Sequence, residues 1–538
     1  MKVRPTVLLG ISLFAGLSYM LLPMTSDEWD ITFDEAAVAQ KEAYLKQIEA
    51  AHTGRDRSTK PNIILITADD LGLTDISLYG SPHLTSRHLD RLGAEGVVCT
   101  EGYATSPICS PSRAGTLTGR YQQRFGYELQ PQSRYPKNRM EYYVFKHFID
   151  TDNWKVNHNV SYPDAEAQKK QGIPPAEYTL AELLDAAGYA TAMMGKWHVG
   201  HHERLVPTAR GFDEMYGFYE AFTLFADTTA PNIVNHQHSD FSNDYIWGKG
   251  RQGLWAIRRN EKVIEEDRYL TTGIAEETVR FIEEHQDESF FAYVPFNAPH
   301  TPFQATKKYY DQFAHVEDRN KRVYYAMIQA LDDAVGRIVQ TVDSLGLAEN
   351  TLICFASDNG GATYTQATTN HPLAGGKMTL FEGGINVPFI MRWPGTLPAG
   401  TTYRRPVSLM DFFATGTENA GIPLPEDRVF DGVNLIPYLT DEEAGSPHEA
   451  LYWRSHTNRA IRKGKWKLIY DEKAGYDLLF DLENDKSETT NLAEQYPQVV
   501  KELKAEVKAW EQELDNPRWP NIMNFEIEVN GKLYYFAA

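Results

Sequence analysis

Five short stretches carry the side chains able to do chemistry. Cys109 opens the run Cys109-Ser110-Pro111-Ser112-Arg113, which continues to Leu117-Thr118-Gly119-Arg120. Pro111 suits the first position of a helix, where its missing amide hydrogen costs nothing, so Cys109 is expected at a helix N-terminus. Free amides and the positive end of the helix dipole there favour a thiolate or, equally, an oxyanion under attack. Two further runs end in carboxylates: 62–68 leads into Asp69-Asp70, and Phe355-Ala356-Ser357 leads into Asp358-Asn359. Crowded carboxylates repel unless a cation joins them. Three Asp and one Asn oxygen make a hard donor set that favours Ca2+, with Mg2+ second and zinc disfavoured. The last three stretches are Gly195-Lys196-Trp197-His198-Val199-Gly200-His201-His202, Asn297-Ala298-Pro299-His300-Thr301-Pro302, and Gly375-Gly376-Lys377 with Glu382-Gly383-Gly384 behind it. A lone Lys or His is ordinarily solvated or structural. These follow apolar runs, as the aspartates do.

Those runs alternate with amphipathic segments. Strands are expected at 62–68, 97–103, 189–194, 289–296 and 351–357, and helices at 85–92, after Pro111, and at 180–187, 274–284 and 324–345. Apolar strands flanked by amphipathic helices predict an α/β sandwich, a large and mainly parallel sheet buried on both faces. Chemistry is then expected at the strands' C-terminal ends. Beyond about residue 445 the pattern shifts to short strands, 460–470 and 476–481, and a charged helix, 497–514, which predicts a smaller α+β subdomain. Four parts result: a leader at 1–25, a helical linker at 26–60, a catalytic domain at 61–445 and a C-terminal subdomain at 446–538.

Lys2 and Arg4 precede a nearly uninterrupted apolar run from Thr6 to Leu22, the pattern of an export signal. No clean cleavage site follows, so a cleaved signal peptide and an uncleaved membrane anchor both stay open. The expected location is periplasmic or extracellular. Acidic residues number 73 against 53 basic ones, a net charge of −20 that argues against nucleic-acid binding. With three cysteines in 538 residues, a disulfide-stapled scaffold is excluded.

The Cys109 run resembles the signature of the type I sulfatases, of the alkaline phosphatase superfamily, at every fixed position. The Gly-Lys-Trp-His, His300 and Gly-Gly-Lys stretches are similar to that family's other motifs, and similarity extends from about 61 to 493. The resemblance implies that a maturation enzyme oxidises Cys109 to formylglycine; one hydroxyl of the aldehyde's hydrate attacks sulfur, and the other then loses its proton so that expulsion of sulfate restores the aldehyde. It implies Ca2+ held by Asp69, Asp70, Asp358, Asn359 and the modified Cys109. It also implies that Lys196 and Lys377 clamp sulfate oxygens, that Arg113 holds the formylglycine and the metal ligands, and that His198 assists the nucleophile. With that resemblance, His300 is the best candidate for general acid to the leaving alcohol. Asn386 stands where family members often carry Arg.

Two polar segments outside the resemblance, 127–177 and 220–268, are long enough to be binding loops. His201, Trp247, Arg251 and Trp255, with Tyr245, His236, His238, Lys249, Arg258 and Arg259 nearby, suit an anionic saccharide, since aromatic faces stack on sugars and Arg pairs with sulfate. The resemblance implies a bacterial polysaccharide sulfatase, with a carrageenan-like algal galactan as the first substrate. An arylsulfatase, a glycosaminoglycan sulfatase, a phosphate or phosphonate monoester hydrolase on the same fold, and a non-catalytic glycan binder remain as alternatives.

Overall fold

The structure, a computed structural model, describes residues 18–53, 60–151, 153–158, 161–237 and 241–538. The apolar run up to residue 17, part of the linker (54–59) and His238 lie outside the described residues. Strand Asn62–Ala68, buried at every position, pairs in parallel with Phe290–Pro295 on one side and Thr351–Ser357 on the other. Ala190–Lys196 continues the parallel set beside 290–295, and Glu214–Phe218 lies next to it. These five form the centre of a ten-stranded sheet ordered 401–403, 97–99, 389–392, 351–357, 62–68, 290–295, 190–196, 214–218, 258–259, 262–263. Strand 389–392 runs antiparallel to 351–357, as does 258–259 to 214–218. The parallel centre sends five strand ends to one edge.

Alternation along the strands builds two cores. Ile63 and Leu65 pack with Ala114, Leu117, Leu183 and Phe413, whereas Ile64 and Ile66 pack with Leu89, Ile274 and Leu331. Helices Cys109–Thr118, Leu180–Ala186 and Asp411–Asn419 therefore cover one face, and Arg87–Ala94, Leu270–Glu284 and Arg319–Ser344 the other.

After the sheet, strands 450–455, 458–463, 466–471 and 476–481 form an antiparallel meander with helix Pro497–Glu511 beside it. The single strand expected at 460–470 is two strands, broken at Gly464, whose φ of +54° turns the chain. Lys467, fully buried, joins this sheet to the Gly-rich loop: its Nζ lies 2.8 Å from Glu382 Oε1 and 2.9 Å from Glu488 Oε1. A last hairpin, 523–529 with 532–537, pairs with Trp154–Val156 in a three-stranded sheet. Upstream of the sheet, helix Glu35–His52 is capped by Asp34 and held to 180–186 by a buried Lys41–Glu182 ion pair of 2.6 Å. The two long segments are not simply loops; they contain helices Arg139–Ile149 and Phe241–Lys249.

Candidate active site

Cys109 is the first residue of its helix, with Ile108 in extended geometry as the cap. Pro111 falls at the third helical position, not the first, where its missing amide hydrogen is still one that the helix start leaves unpaired. Gly119 ends the helix at φ +66°, donating its N–H to Gly115 O at 2.9 Å. All ten helical residues are buried. Burial outweighs the nearby Lys196 and Lys377 and pushes the Cys109 thiol up to about 12. The side chain is thus a neutral thiol rather than the thiolate that a helix N-terminus alone would favour.

Four strand ends meet at this thiol. The Ala68↔Ser357 pairing sets Asp69 and Asp358 side by side. Cys109 Sγ lies 3.8 Å from Asp70 Oδ1, and Asn359 Nδ2 donates to that same oxygen at 2.8 Å. Lys196, the last residue of its strand, reaches Asp69 Oδ2 at 2.6 Å, and Lys377 reaches Asp70 at 2.9 Å. Arg113 donates from Nε to Asp358 Oδ2 at 2.8 Å and from Nη1 to the Lys196 carbonyl at 3.0 Å, so it ties two strand ends to the Cys109 helix. Burial pushes Asp69 up, but Lys196, His300 and Arg113 outweigh it and hold the carboxyl well below its usual range. At Asp358 burial wins over Arg113 and raises the pKa to about 7.

The two histidines differ. His198 sits at φ +59°, an uncommon backbone state for this residue type, and both ring nitrogens are buried without a partner. Burial, with Lys196 and Arg113 adding to it, holds its pKa well below the usual histidine range, so the ring is neutral. His300 turns Nδ1 toward the Thr301 carbonyl at 2.5 Å and Nε2 toward Asp70 at 3.6 Å. Burial and then Lys377 lower its pKa to about 4.

The donors suit a divalent cation. Ligand atoms of Asp69, Asp70, Cys109 and His300 lie within 4.8 Å of one another. Asp69 Oδ1 and Asn359 Oδ1 are buried acceptors with no hydrogen bond, a demand for positive charge that a cation meets. His300 and the Cys109 sulfur border this set, so the neighbourhood is less purely oxygen than the aspartate runs predict.

A cavity of about 530 Å3 opens over Cys109, His198, His300 and Lys377. Its walls are largely aromatic and aliphatic, with Phe145, Trp154, Tyr245, Trp255 and Tyr364 prominent and Arg134 among the polar groups. Of the four residues singled out for substrate, Trp255 lines this cavity. His201 reaches it indirectly, with Nδ1 3.6 Å from Glu220 Oε1. Arg251 and Trp247 do not line it. The Arg251 guanidinium donates to the carbonyls of Leu224 and Glu266, and Trp247 Nε1 donates to Asn243 Oδ1 at 3.0 Å. Sequence reasoning also missed contributors. Glu220, half-buried and raised to about 7 by desolvation, follows the end of strand 214–218 as the other site residues follow theirs. Ser110 Oγ donates to the His198 carbonyl at 2.6 Å, and it directly follows Cys109.

Comparison with known proteins is consistent with this arrangement. The Sulfatase family model matches residues 61–422, and the model for the N-sulphoglucosamine sulphohydrolase C-terminal region matches 375–513. The N-acetylgalactosamine-6-sulfatase of Sus scrofa is 34% identical over 416 residues, 76% of this chain and 72% of that protein. The crystal structure of Ps i-CgsB in complex with k-i-k-neocarrahexaose superposes with a TM-score of 0.71 at 30% identity, covering 86% of this chain and 95% of that one. A sulfatase structure from glycosaminoglycan metabolism in Bacteroides thetaiotaomicron gives a TM-score of 0.63 at 28% identity, over 85% of this chain and 100% of that one.

Proposed function

The chain belongs to the sulfatase family, and from that premise we propose that it removes sulfate from a carrageenan-like algal oligosaccharide or polysaccharide, using formylglycine made from Cys109. It is a sulfuric ester hydrolase acting on sulfated carbohydrate. The observation that carries the site assignment is the convergence of Asp69, Asp70, Lys196, His300 and Asp358 from adjacent strand ends on the first residue of the Cys109 helix.

A thiol pushed up to about 12 is a poor nucleophile at neutral pH, and formylglycine at this position would supply an oxygen nucleophile instead. Asp69, Asp70, Asp358 and Asn359 would hold Ca2+, which would polarise a sulfate oxygen as a Lewis acid. Lys196 lies on Asp69 and Lys377 on Asp70, the two adjacent carboxylates beside Cys109. Each ammonium at about 4 Å from a sulfate oxygen attracts it by about 4 kcal/mol at an effective dielectric near 20, before desolvation. Arg113 holds Asp358 and the end of the Lys196 strand in register. His198, neutral and unpartnered, accepts a proton from the attacking oxygen. His300 delivers a proton from Nε2 to the departing alcohol, while the Thr301 carbonyl fixes Nδ1 as the other protonated nitrogen. Binding an anion beside His300 raises its proton affinity from the low value of the free site.

The half-buried Tyr245 and Tyr364 rings line the cavity and offer aromatic faces for sugar, and Arg134 a partner for a second sulfate. The 34% identity to an N-acetylgalactosamine-6-sulfatase favours a glycosaminoglycan as the second substrate class. Lys2, Arg4 and the apolar run behind them support export, to the periplasm or beyond the cell. The test has two parts. Mass spectrometry of the peptide spanning Cys109, after co-expression with a maturation enzyme, is expected to find the aldehyde. Sulfate release is expected from carrageenan oligosaccharides ahead of chondroitin oligosaccharides. Faster turnover of an aryl phosphonate than of an aryl sulfate would overturn the assignment.

A further inference from the structure

We infer that helix Arg139–Ile149 and the chain arriving at residues 18–25 form a docking surface for an anionic lipid bilayer, set at the rim of the active-site cavity. The helix is apolar on two sides. Tyr142, Phe145 and Ile149 face inward on a small core with Trp154 and Phe525. Met140, Val144 and Phe148, spaced four residues apart and so stacked along one stripe, are 45%, 67% and 47% exposed. Tyr143 beside them is 50% exposed. A surface helix ordinarily turns polar residues to solvent, so this stripe lacks its partner.

The partner is indicated by what is fastened next to the stripe. The apolar run from Thr6 to Leu22 leads straight into this corner, where Tyr19, Leu21 and Leu22 are exposed. Arg139 Nη1 donates to the Tyr19 hydroxyl at 2.7 Å with its guanidinium 4.4 Å over the ring, and Arg139 N donates to the Leu22 carbonyl at 3.3 Å. Met24 N donates to Lys137 O, Tyr162 N to Met24 O, and Ser26 N to Tyr162 O. Residues 19–26 are thus bonded into the fold beside the stripe. Between 134 and 150 the chain carries Arg134, Lys137, Arg139 and Lys146 against Glu141 and Asp150; Arg134 faces Glu141 at 3.4 Å and Lys146 faces Asp150 at 3.5 Å, which leaves Lys137 and Arg139 as the local excess of positive charge in a protein of net charge −20. Apolar side chains within a basic collar suit the interface of an anionic bilayer, and two adjacent contacts give stable attachment where one is marginal. Met140, Val144 and Phe148 also line the cavity over Cys109, so its mouth would open along the lipid surface.

The full chain is tested with vesicles of phosphatidylcholine and phosphatidylglycerol, and lipid binding is read without reference to catalysis. A fluorophore on Val144→Cys is expected to be quenched by nitroxide-bearing lipid. One on Glu349→Cys, which precedes strand 351–357 at the opposite edge of the sheet, is not. Met140→Glu with Val144→Glu is expected to lower vesicle binding about tenfold or more at an unchanged unfolding temperature. Binding with no quenching at position 144, or binding unchanged in the double variant, would overturn the inference. So would a position-144 label shielded from aqueous iodide without vesicles, because residues 1–17 or a second copy of the chain would then cover the stripe.

Discussion

Replacing Lys467 with Met would test how the C-terminal meander supports the site. Its ammonium, fully buried, lies 2.8 Å from Glu382 Oε1 and 2.9 Å from Glu488 Oε1. At an effective dielectric near 20 each contact is a gross attraction of about 6 kcal/mol, largely offset by the cost of burying three charges. Removing only the cation leaves two carboxyls facing each other without water. Glu488 shows the strain already, since burial raises it to about 7 despite Lys467. Breaking a buried ion pair on one side costs about 3–5 kcal/mol, so Lys467→Met is expected to lose that much. Urea titration followed by tryptophan fluorescence measures it, with Trp453 and Trp466 of this sheet contributing. Adding Glu488→Gln removes one of the opposed charges and is expected to restore about half of the loss. Glu382 belongs to the loop that presents Lys377, so sulfatase activity of the folded variant should fall about tenfold or more, as small misplacements of charged groups do. A loss under about 1 kcal/mol, typical of exposed pairs, would refute the reasoning.

Three further outcomes are expected. Glu182 is held down to about 2 because Arg210 and Lys41 outweigh its burial. The unfolded carboxyl takes its proton near pH 4.3, so the stabilisation is complete above that pH and vanishes as pH falls through 2. Wild type should exceed Glu182→Gln by about 3 kcal/mol at pH 7, and denaturant midpoints measured down to pH 2 should converge. Lys377→Ala should cut kcat/KM for an aryl sulfate by about 100-fold or more, the scale of removing one preorganised charge from a transition-state site, measured by initial rates. Stripping divalent cations with a chelator should lower both activity and the unfolding temperature, and Ca2+ at about 100 times its Kd should return about 2.7 kcal/mol of stability, read by calorimetry.

Much of the site was legible because its signals are local. Asp69, Asp70, Asp358 and Asn359 each follow a seven-residue run buried throughout, and a strand of that kind announces where it ends. The Cys109 segment carries its own punctuation in Pro111 and Gly119. Glu220 was not legible: strand 214–218 is short and interrupted by Gly217 at φ +147°, so no clear alternation marks its end. The pairing of 523–529 with 154–156 was equally hidden, because strands more than 360 residues apart share no local pattern. That Arg251 and Trp247 lie off the cavity lining was hidden for a related reason. Residue type suggested a sulfate partner and a stacking face, but the fold sets both side chains outside the cavity lining, with neighbouring carbonyls holding the Arg251 guanidinium.

The parallel centre of the sheet has a further consequence. Asp69, Lys196, His300, Asp358 and Lys377 span more than 300 positions, and strand register is what brings most of them together. Slipping one strand by a single residue would displace its contribution by about 3.3 Å and exchange the two faces of the sandwich. Activity is therefore a stringent gauge of assembly. A molecule with one central strand mispaired could retain most of its helices and its bulk yet hydrolyse nothing, so the fraction of active enzyme in a refolded sample would count correctly registered sheets.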